Sequence, residues 1–558
     1  MMMRRFALAL LVVGLAMTSP SSAAAQWITF TGSAETGGEL YGVQGIQARR
    51  PGSSWRVAMR PQVTLFGAVS GGLELLLTNE GNAFRQNMNQ IGFNPRFGWA
   101  TLHLGDFTQA YTDYTVSGIR VRGAGMTLTP GWFRFAVQGG QTQRPVFAGA
   151  EGNVYQRVLV AGKMGVGHDD RHFLDLHVVK AQDLIGRVER NLTVIDSTLL
   201  DTLPSGAFRP QIGTRPQENL VTSVTGQLRL LDGAFTLRGE GSAALTNNDL
   251  AAERIDSVVA GPARFLRGLQ PLRLSSSGDV AYKVDAAWQQ RRLRVRTQYE
   301  WVGPGYTSLG LAYLIADRRS LGGDVSTQVL GDRLTLQGQL RRQNDNLLDQ
   351  RATTTTRDLF GGAVLMRITD RLNAGVNATL NTIGNTAVVD TFVVDVRALA
   401  AAATLSWQSE WWGRKTTLSG TLAQQTSTDG NVVTNVPDVS ATNLNVTVQT
   451  NVTDRFSVAP SLAFVRAKTT PGLTADNLQL GLRVNGTVFR DRVQVGGGVT
   501  DARTTNGRAV RGMTLNASWA LPGDVRAVLA ARSNTYAAFG SSPRFIERVA
   551  NLSMSRSF

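Results

Sequence analysis

Residues 290–301 read QRRLRVRTQYEW, and this stretch decides the fold. After the polar turn that ends at Arg292, apolar and polar residues alternate one by one. One face carries Leu293, Val295, Thr297, Tyr299 and Trp301. The other face carries Arg294, Arg296, Gln298 and Glu300. A period of two puts successive side chains on opposite sides of a sheet, so the pattern predicts a β-strand with one apolar and one polar face.

The same unit recurs along the chain, with two alternating strands joined by a tight polar turn. From residue 290 onward the turns return roughly every 40 residues, which is the length of a hairpin plus one longer loop. Four of these turns share the same pair of residues: Asp332-Arg333, Asp370-Arg371, Asp454-Arg455 and Asp491-Arg492. Asp suits such turns because it tolerates left-handed backbone angles and can bond its own backbone.

The strands are too long for a typical soluble β-sandwich. They run about 10 to 13 residues, close to the length of a tilted bilayer span. One end of each hairpin has a tight turn and the other has a long polar loop, as in outer-membrane barrels. Aromatic residues cluster beside the tight turns, where a membrane interface is expected: Trp132, Phe133, Phe235, Trp407, Trp411, Trp412, Phe456 and Phe489.

We therefore predict an all-β protein, a large closed antiparallel transmembrane β-barrel formed by residues 26–558. Short turns would face the periplasm and long loops the exterior. Counting elements gives about 24 strands, with a range of 22 to 26. The strand topology of residues 26–130 stays open. One segment there is either a longer connection or lies inside the barrel.

The two ends of the chain carry export and assembly signals. Arg4, Arg5, an apolar run and the small residues 23–25 predict a cleaved signal peptide over residues 1–25. No Cys is present, so neither disulfides nor thiol chemistry are expected. Phe558 ends an alternating strand, which resembles the signal that outer-membrane barrels present to the barrel assembly machinery. Arg556 departs from that pattern.

The charge is basic, at +16, and nearly all of it is Arg. In a cytoplasmic protein this would suggest binding of nucleic acid, but the export signal argues against that interpretation. Three explanations stay open: contacts with anionic lipopolysaccharide, Arg side chains in a water-filled lumen, and a general preference for Arg in the genome.

A region near the N-terminus resembles a known group of proteins. It includes Asn89-Gln90-Ile91-Gly92-Phe93-Asn94-Pro95 and Trp99-Ala100-Thr101-Leu102-His103-Leu104-Gly105. Together with Gly123-Ala124-Gly125 and Pro130-Gly131, these residues are similar to a segment of uncharacterised porin-like outer-membrane β-barrel proteins of Gram-negative bacteria. The resemblance covers roughly residues 55–145. It implies a fold and no particular activity.

The sequence shows no set of residues that is arranged for catalysis. Three of the four histidines lie among aspartates in residues 167–177: His168, His172 and His177. This stretch is either a metal site or a solvated turn. The turn is favoured by the spacing. His103 lies in a strand without a serine nucleophile signature beside it. We expect no enzymatic activity, no catalytic or metal-ligating residues and no cofactor.

The leading hypothesis is a channel for passive diffusion of small hydrophilic solutes, with anions favoured by arginines in the lumen. The candidate lumen-lining residues are Arg294, Arg296, Arg341 and Arg483. Two long connections, 182–218 and 248–277, are either surface loops or constrictions. The second contains Arg254, Arg264, Arg267 and Arg273.

Three alternatives remain. One is a structural or assembly barrel with an occluded lumen that docks partner proteins. Another is a TonB-type energised receptor. Such a receptor needs a globular plug of about 90 residues, and the sequence does not offer one before the first convincing strands. The third is an outer-membrane enzyme. The expected contacts are outer-membrane lipid, lipopolysaccharide, the assembly machinery and small solutes, without nucleic acid. The oligomeric state is left open.

Overall fold

A computed structural model describes residues 28–79, 89–147, 153–185, 215–255, 270–431, 433–434, 436–470 and 472–558. The predicted signal segment, 1–25, lies outside these residues. Within them, no helix has both the length and the apolar character needed to cross a bilayer.

The described residues form 28 strands, numbered in chain order. The first half comprises β1 Ile28–Gln44, β2 Ser53–Leu65, β3 Val69–Thr78, β4 Gln90–Phe97, β5 Ala100–Phe107, β6 Val121–Leu128, β7 Phe133–Gln143, β8 Val146–Phe147, β9 Asn153–Val154, β10 Gln156–Gly167, β11 Phe173–Leu184, β12 Glu218–Leu230, β13 Phe235–Asn247 and β14 Ser276–Gln290. The second half comprises β15 Leu293–Val302, β16 Arg318–Val329, β17 Leu334–Asn344, β18 Thr355–Thr369, β19 Leu372–Asn385, β20 Asp395–Trp411, β21 Arg414–Asp429, β22 Asp438–Asn451, β23 Phe456–Thr470, β24 Leu473–Val488, β25 Val493–Thr504, β26 Val510–Leu521, β27 Val525–Tyr536 and β28 Phe545–Ser557. Two short 3-10 turns occur at Leu231–Gly233 and Asp390–Phe392.

Twenty-six of these strands form one antiparallel sheet, and β8 and β9 form a separate small hairpin. The large sheet closes because β1 pairs with β28 over the register Ser33↔Ser557 to Gln44↔Ile546. Closure satisfies the backbone groups that an open edge would leave unpaired. The predicted large closed barrel is confirmed. Its strand number lies at the upper end of the predicted range.

The tight turns lie at one end of the barrel, together with the start of β1 and the end of β28, apart from the short connection between β23 and β24. Asp332, Asp491 and Asp524 adopt positive φ in these turns, at 70°, 65° and 59°. The short polar side chain of Asp tolerates this left-handed region better than most residues do, which explains its recurrence in the sequence. The longer connections lie at the opposite end.

The barrel wall is shortest between residues 90 and 128. β4, β5 and β6 each have only eight residues, whereas β20 has 17. The ladder between β4 and β5 also skips the pairs opposite Asn94 and Pro95, as expected because Pro has no N–H to donate. Here the period-two pattern is short and interrupted, so the strands are difficult to count from sequence.

Candidate functional site in the barrel lumen

Two connections at the long end fold into the barrel. The first lumen segment, residues 108–120, joins β5 to β6, and the second lumen segment, 303–317, joins β15 to β16. They pack on one face of neighbouring strands and form a buried apolar cluster with them. The wall residues of this cluster are Leu159, Ala161, Val179, Ala181, Val221, Ala244, Ala281 and Val302, and the segments contribute Tyr114, Val116, Tyr306 and Leu309. The face that they cover is therefore the inner wall.

The two segments hold each other through backbone and side-chain hydrogen bonds. The Tyr306 hydroxyl donates to the Tyr114 carbonyl at 2.9 Å, and the Ser308 hydroxyl donates to the Thr115 carbonyl at 2.7 Å. Ser117 and Leu311 form a parallel bridge. Gly310 permits this approach, because a side chain there would collide with the Thr115 carbonyl.

Tyr114 anchors the first segment to the wall. Its hydroxyl donates to a carboxylate oxygen of Glu300 at 3.1 Å, and its backbone N–H donates to Glu240 at 3.3 Å. Burial, with Glu300 beside the ring, holds the pKa of Tyr114 far above its usual range, so the hydroxyl remains a donor. Glu300 also pairs with Arg318 at 2.9 Å. Asn219 of β12 anchors the second segment, because its amide donates to Thr307 and its oxygen accepts from Leu309.

We expect Tyr114→Ala to loosen both segments. Removing a large buried aromatic side chain typically costs about 3–5 kcal/mol, and here the loss falls on the junction of the two segments. Faster limited proteolysis within 108–120 would report the loosening. The Tyr114→Phe variant keeps the ring and loses only the hydroxyl bonds to Glu300 and to the Tyr282 carbonyl, so it should be cleaved at a rate close to that of the unmodified protein. Equal cleavage rates in all three proteins would contradict this role.

The wall from β17 to β24 is not covered in this way by any residue that the structure describes. On β17, the outward Leu336 and Leu340 are exposed, and so are the inward Gln339 and Arg341. On β24, the outward Leu482 and the inward Arg483 are both exposed. A wall exposed on both faces has lipid on one side and open space on the other. The described part of the barrel is therefore hollow along these strands.

The four arginines proposed as lumen-lining lie on the inner face. Arg294 and Arg296 share a face of β15 with Glu300 and Val302, which contact the lumen segments. Arg296 pairs with Asp285 at 3.0 Å, and Arg294 donates to Gln289 at 3.1 Å. Arg341 and Arg483 form no ion pair with any residue that the structure describes. Whether these arginines line a conducting pathway stays a prediction.

The candidate constriction loop is described only in part. Arg254 and Arg273 form an isolated antiparallel bridge at the base of the loop, and the Arg273 guanidinium donates to the Ala252 carbonyl at 2.8 Å. Arg264 and Arg267 lie outside the described residues, as does most of the 182–218 connection. A constriction by these arginines therefore stays a prediction. Among the described residues, the segments seen in the lumen are 108–120 and 303–317.

An ion-pair cluster lies on the inner wall near the short turns. Arg134 of β7 makes two bonds to Asp175 of β11, at 2.8 and 2.9 Å, and a third contact to Asp169 at 2.7 Å. The side chains of Arg134 and Asp175 are only 7% and 3% exposed. Hydrogen bonding to Arg134 lowers the pKa of Asp169, which lies in the short turn between β10 and β11. The sequence analysis assigned no role to Arg134 or Asp175.

The histidines have ordinary structural surroundings. His172 lies in the short turn and accepts a bond from the Arg229 backbone N–H at 3.0 Å. His177 is buried on the inner wall, 2.9 Å from the Thr225 hydroxyl and against the Tyr111 ring. His103 contacts Asn94 at 2.9 Å and Thr127 at 3.4 Å. Among the described residues, no group of three or more His, Asp or Glu side chains could hold a metal ion.

The outer face is apolar and has aromatic residues at the short-turn end. Val376, Leu422 and Leu515 are each more than half exposed on this face. Trp132, Trp412 and Phe489 are 63%, 91% and 77% exposed at or beside the short turns. A closed barrel with an apolar outer wall and an aromatic girdle is the architecture that spans outer membranes. The protein is an outer-membrane β-barrel.

The comparisons with known proteins identify no family for this chain. No protein-family model matches this chain, and no curated protein matches it. The family suggested by the resemblance at residues 55–145 therefore stays a prediction.

Several solved structures have a similar arrangement of strands. The ferric yersiniabactin uptake receptor FyuA from Yersinia pestis is 10% identical, with a TM-score of 0.39 and coverage of 95% of this chain and 80% of that chain. The ferric-catecholate import receptor Fiu from E. coli K12 is 9% identical, with a TM-score of 0.37 and coverage of 94% and 81%. The outer membrane protein OpdK from Pseudomonas aeruginosa is 11% identical, with a TM-score of 0.31 and coverage of 62% and 94%. These values are too low to carry a substrate or mechanism over to this barrel.

Proposed function

We propose that the barrel is a porin-like channel for passive diffusion of small hydrophilic solutes, with a preference for anions. The observation that carries this proposal is the hollow inner wall along β17 to β24, where side chains are exposed because no segment among the described residues covers them. Polar residues dominate this wall, and water can therefore wet it. Rings of such side chains allow hydrated solutes to pass.

The charge of the inner wall supports the preference for anions. Arg341, Arg357, Arg367 and Arg483 alternate with outward apolar residues such as Leu340, Phe360 and Leu482, so they face the lumen. None of the four forms an ion pair within the described part of the chain. Unpaired guanidinium groups stay charged at any relevant pH and raise the local concentration of anions.

Solute entry into proteoliposomes tests the channel itself. Vesicles that contain the refolded barrel should swell in an isotonic solution of a small neutral sugar, at a rate proportional to the protein content. Empty vesicles and vesicles with heat-unfolded protein are the controls. Swelling no faster than in the controls would overturn the proposal.

Charge reversal tests the selectivity. In a KCl gradient, Arg341→Glu combined with Arg483→Glu should lower the ratio of chloride to potassium permeability roughly two- to threefold, because the field of exposed charges is only partly screened at 0.1 M salt. The reversal potential measures this ratio. The matched control is Arg342→Glu, since Arg342 lies on the outer face beside Asp358 and should leave the ratio unchanged. Equal shifts in both proteins would contradict a lining role for Arg341 and Arg483.

The second candidate function is a structural or assembly barrel with an occluded lumen. The two lumen segments favour it, because they cover the inner wall from β10 to β15. An energised receptor is less well supported, because the longest connection between strands, 185–217, is far shorter than a plug of about 90 residues. We also retain the proposal that the barrel is not an enzyme, since His103 bonds only to amide and hydroxyl side chains.

A further inference from the structure

A cavity of about 410 Å³ lies in the inner wall beneath the first lumen segment. Inward residues of β13, β14 and β15 form its wall, and Asp113 of the first lumen segment reaches into it. We propose that this cavity is a binding site for a small solute that carries an oxyanion, either a phosphate or a carboxylate. The inference depends on the proposed channel for the route by which the solute arrives.

The cavity carries more cationic than anionic side chains. Its cations are Arg238, Lys283, Arg294 and Arg296, and its carboxylates are Asp113, Glu240 and Asp285. Internal pairs neutralise part of this charge. Lys283 bonds Asp113 at 2.9 Å, and Arg296 bonds Asp285 at 3.0 Å. Glu240 accepts hydrogen bonds from the Tyr114 backbone N–H and from the Ser223 and Ser242 hydroxyls. Its carboxylate therefore faces the first lumen segment.

Arg238 and Arg294 form no ion pair among the described residues, although the charge of Arg238 acts on Asp169 in the short turn between β10 and β11. Strand register places them on either side of β14, at levels four residues apart along it. Arg238 lies opposite Asp285 on β14, and Arg294 lies opposite Gln289 on the same strand. Guanidinium groups present planar pairs of N–H donors that match the oxygen spacing of carboxylates and phosphates. Their free donors therefore define the anion subsite.

Neutral groups complete the subsite. Gln289 accepts from Arg294 with its oxygen, which leaves its NH₂ group free to donate. The Thr236 hydroxyl lies in the same wall. Gln227 is already engaged, because its NH₂ group donates to the carbonyls of Asp169 and Arg171. The volume falls within the range of about 300–1,000 Å³ that is usual for small-molecule sites.

The wall along β20 offers no comparable chemistry. The inward residues in the middle of β20 are Ala398, Ala400 and Ala402, followed by Thr404 and Ser406. These side chains present neither charge nor bidentate donors. A solute that diffuses through the lumen can therefore bind at the β13–β15 wall and pass freely along the β20 wall.

Equilibrium binding to the refolded full-length protein in detergent tests this site without requiring conduction. The probes are inorganic phosphate and succinate, titrated by calorimetry in a chloride buffer. We expect saturable binding of at least one probe, and the tighter one identifies the preferred oxyanion. Arg238→Gln and Arg294→Gln should each weaken that binding about tenfold, since each removes charge-assisted hydrogen bonds. The control, Arg342→Gln on the outer face of β17, should bind as the unmodified protein does.

Absence of saturable binding for both probes would overturn the site. Equal losses in Arg342→Gln and Arg294→Gln would overturn it as well, because they would indicate a diffuse effect of net charge. Heat-modifiable migration on gels verifies that each variant is folded. A conducting protein without saturable binding would refute only this inference. A protein that binds the probes and excludes neutral sugar would refute the proposed channel.

Discussion

Arg134→Ala is expected to lower the free energy of unfolding by about 3–5 kcal/mol, since it leaves a buried carboxylate without its partner. Arg134 makes two bonds to Asp175, whose side chain is 3% exposed, and stacks over the Phe173 ring at 4.5 Å. Lys163, 3.8 Å from Asp175, is too distant to replace both bonds. Reversible unfolding in guanidinium, followed by tryptophan fluorescence in lipid vesicles, measures the change.

The chain supplies a matched control for this prediction. Arg342 pairs with Asp358 in the same two-bond geometry, at 2.8 and 3.0 Å, and the Arg342 side chain is 67% exposed. The Asp358 side chain is 17% exposed, but Arg342 lies two residues before the long-loop end of β17, where water reaches its guanidinium group. A pair with a solvated partner contributes little, because water and salt screen it. Arg342→Ala should therefore leave the unfolding midpoint nearly unchanged. Similar losses in the two variants would show that burial does not determine the strength of the Arg134 pair.

Val376→Arg is expected to cost about 2–4 kcal/mol, the usual penalty for a cation at the lipid-facing midplane of a barrel. Val376 is 56% exposed, lies near the middle of β19 and pairs with Val364 and Ala403 on the same outer face. Its neighbour Asn377 points to the lumen and is also exposed. Asn377→Arg should therefore be tolerated, because the new charge meets water.

The comparison of these two variants tests which face of the barrel meets lipid. Both changes introduce the same side chain at adjacent positions of one strand. The fraction of heat-modifiable folded protein recovered in vesicles, together with the unfolding midpoint, measures the difference. A larger loss for Asn377→Arg than for Val376→Arg would reverse the assignment of the two faces and contradict the hollow lumen.

Much of the barrel could be predicted because its geometry is local. Arg294 and Val295 must point to opposite faces in any strand, so the division into inner and outer walls follows from alternation alone. The Asp-Arg turns likewise mark the hairpins, since positive φ at Asp332 and Asp491 is a local property. The strands before residue 130 were harder to count, because β4 to β6 are short and Pro95 interrupts their pairing.

The lumen segments could not be located from sequence because their contacts are long-range. Tyr114 and Tyr306 are separated by almost 200 residues and become buried only when the barrel closes. The candidate constrictions were instead the two connections with many Pro and Arg residues, 182–218 and 248–277. One signal was present in retrospect. Residues 303–312 contain Gly, Pro, Tyr, Thr, Ser and Leu and no charge, which suits a segment that packs against a wall better than a solvated loop.

The buried pair of Arg134 and Asp175 was missed for a similar reason. The two residues lie on β7 and β11, which are not adjacent in the barrel because β10 lies between them. Alternation places both on the inner wall, but only the packing of side chains across β10 joins them. The small Gly165 of β10 allows this contact, since a side chain there would collide with Asp175.

The central claim is that the lumen is a continuous water-filled path, and single-channel recording tests it most directly. Refolded, heat-modifiable protein in a planar bilayer should give steady ionic current in discrete steps, with a reversal potential in a KCl gradient that indicates a preference for chloride. Bilayers that stay silent although the protein is folded and inserted would contradict an open lumen and favour the occluded structural barrel.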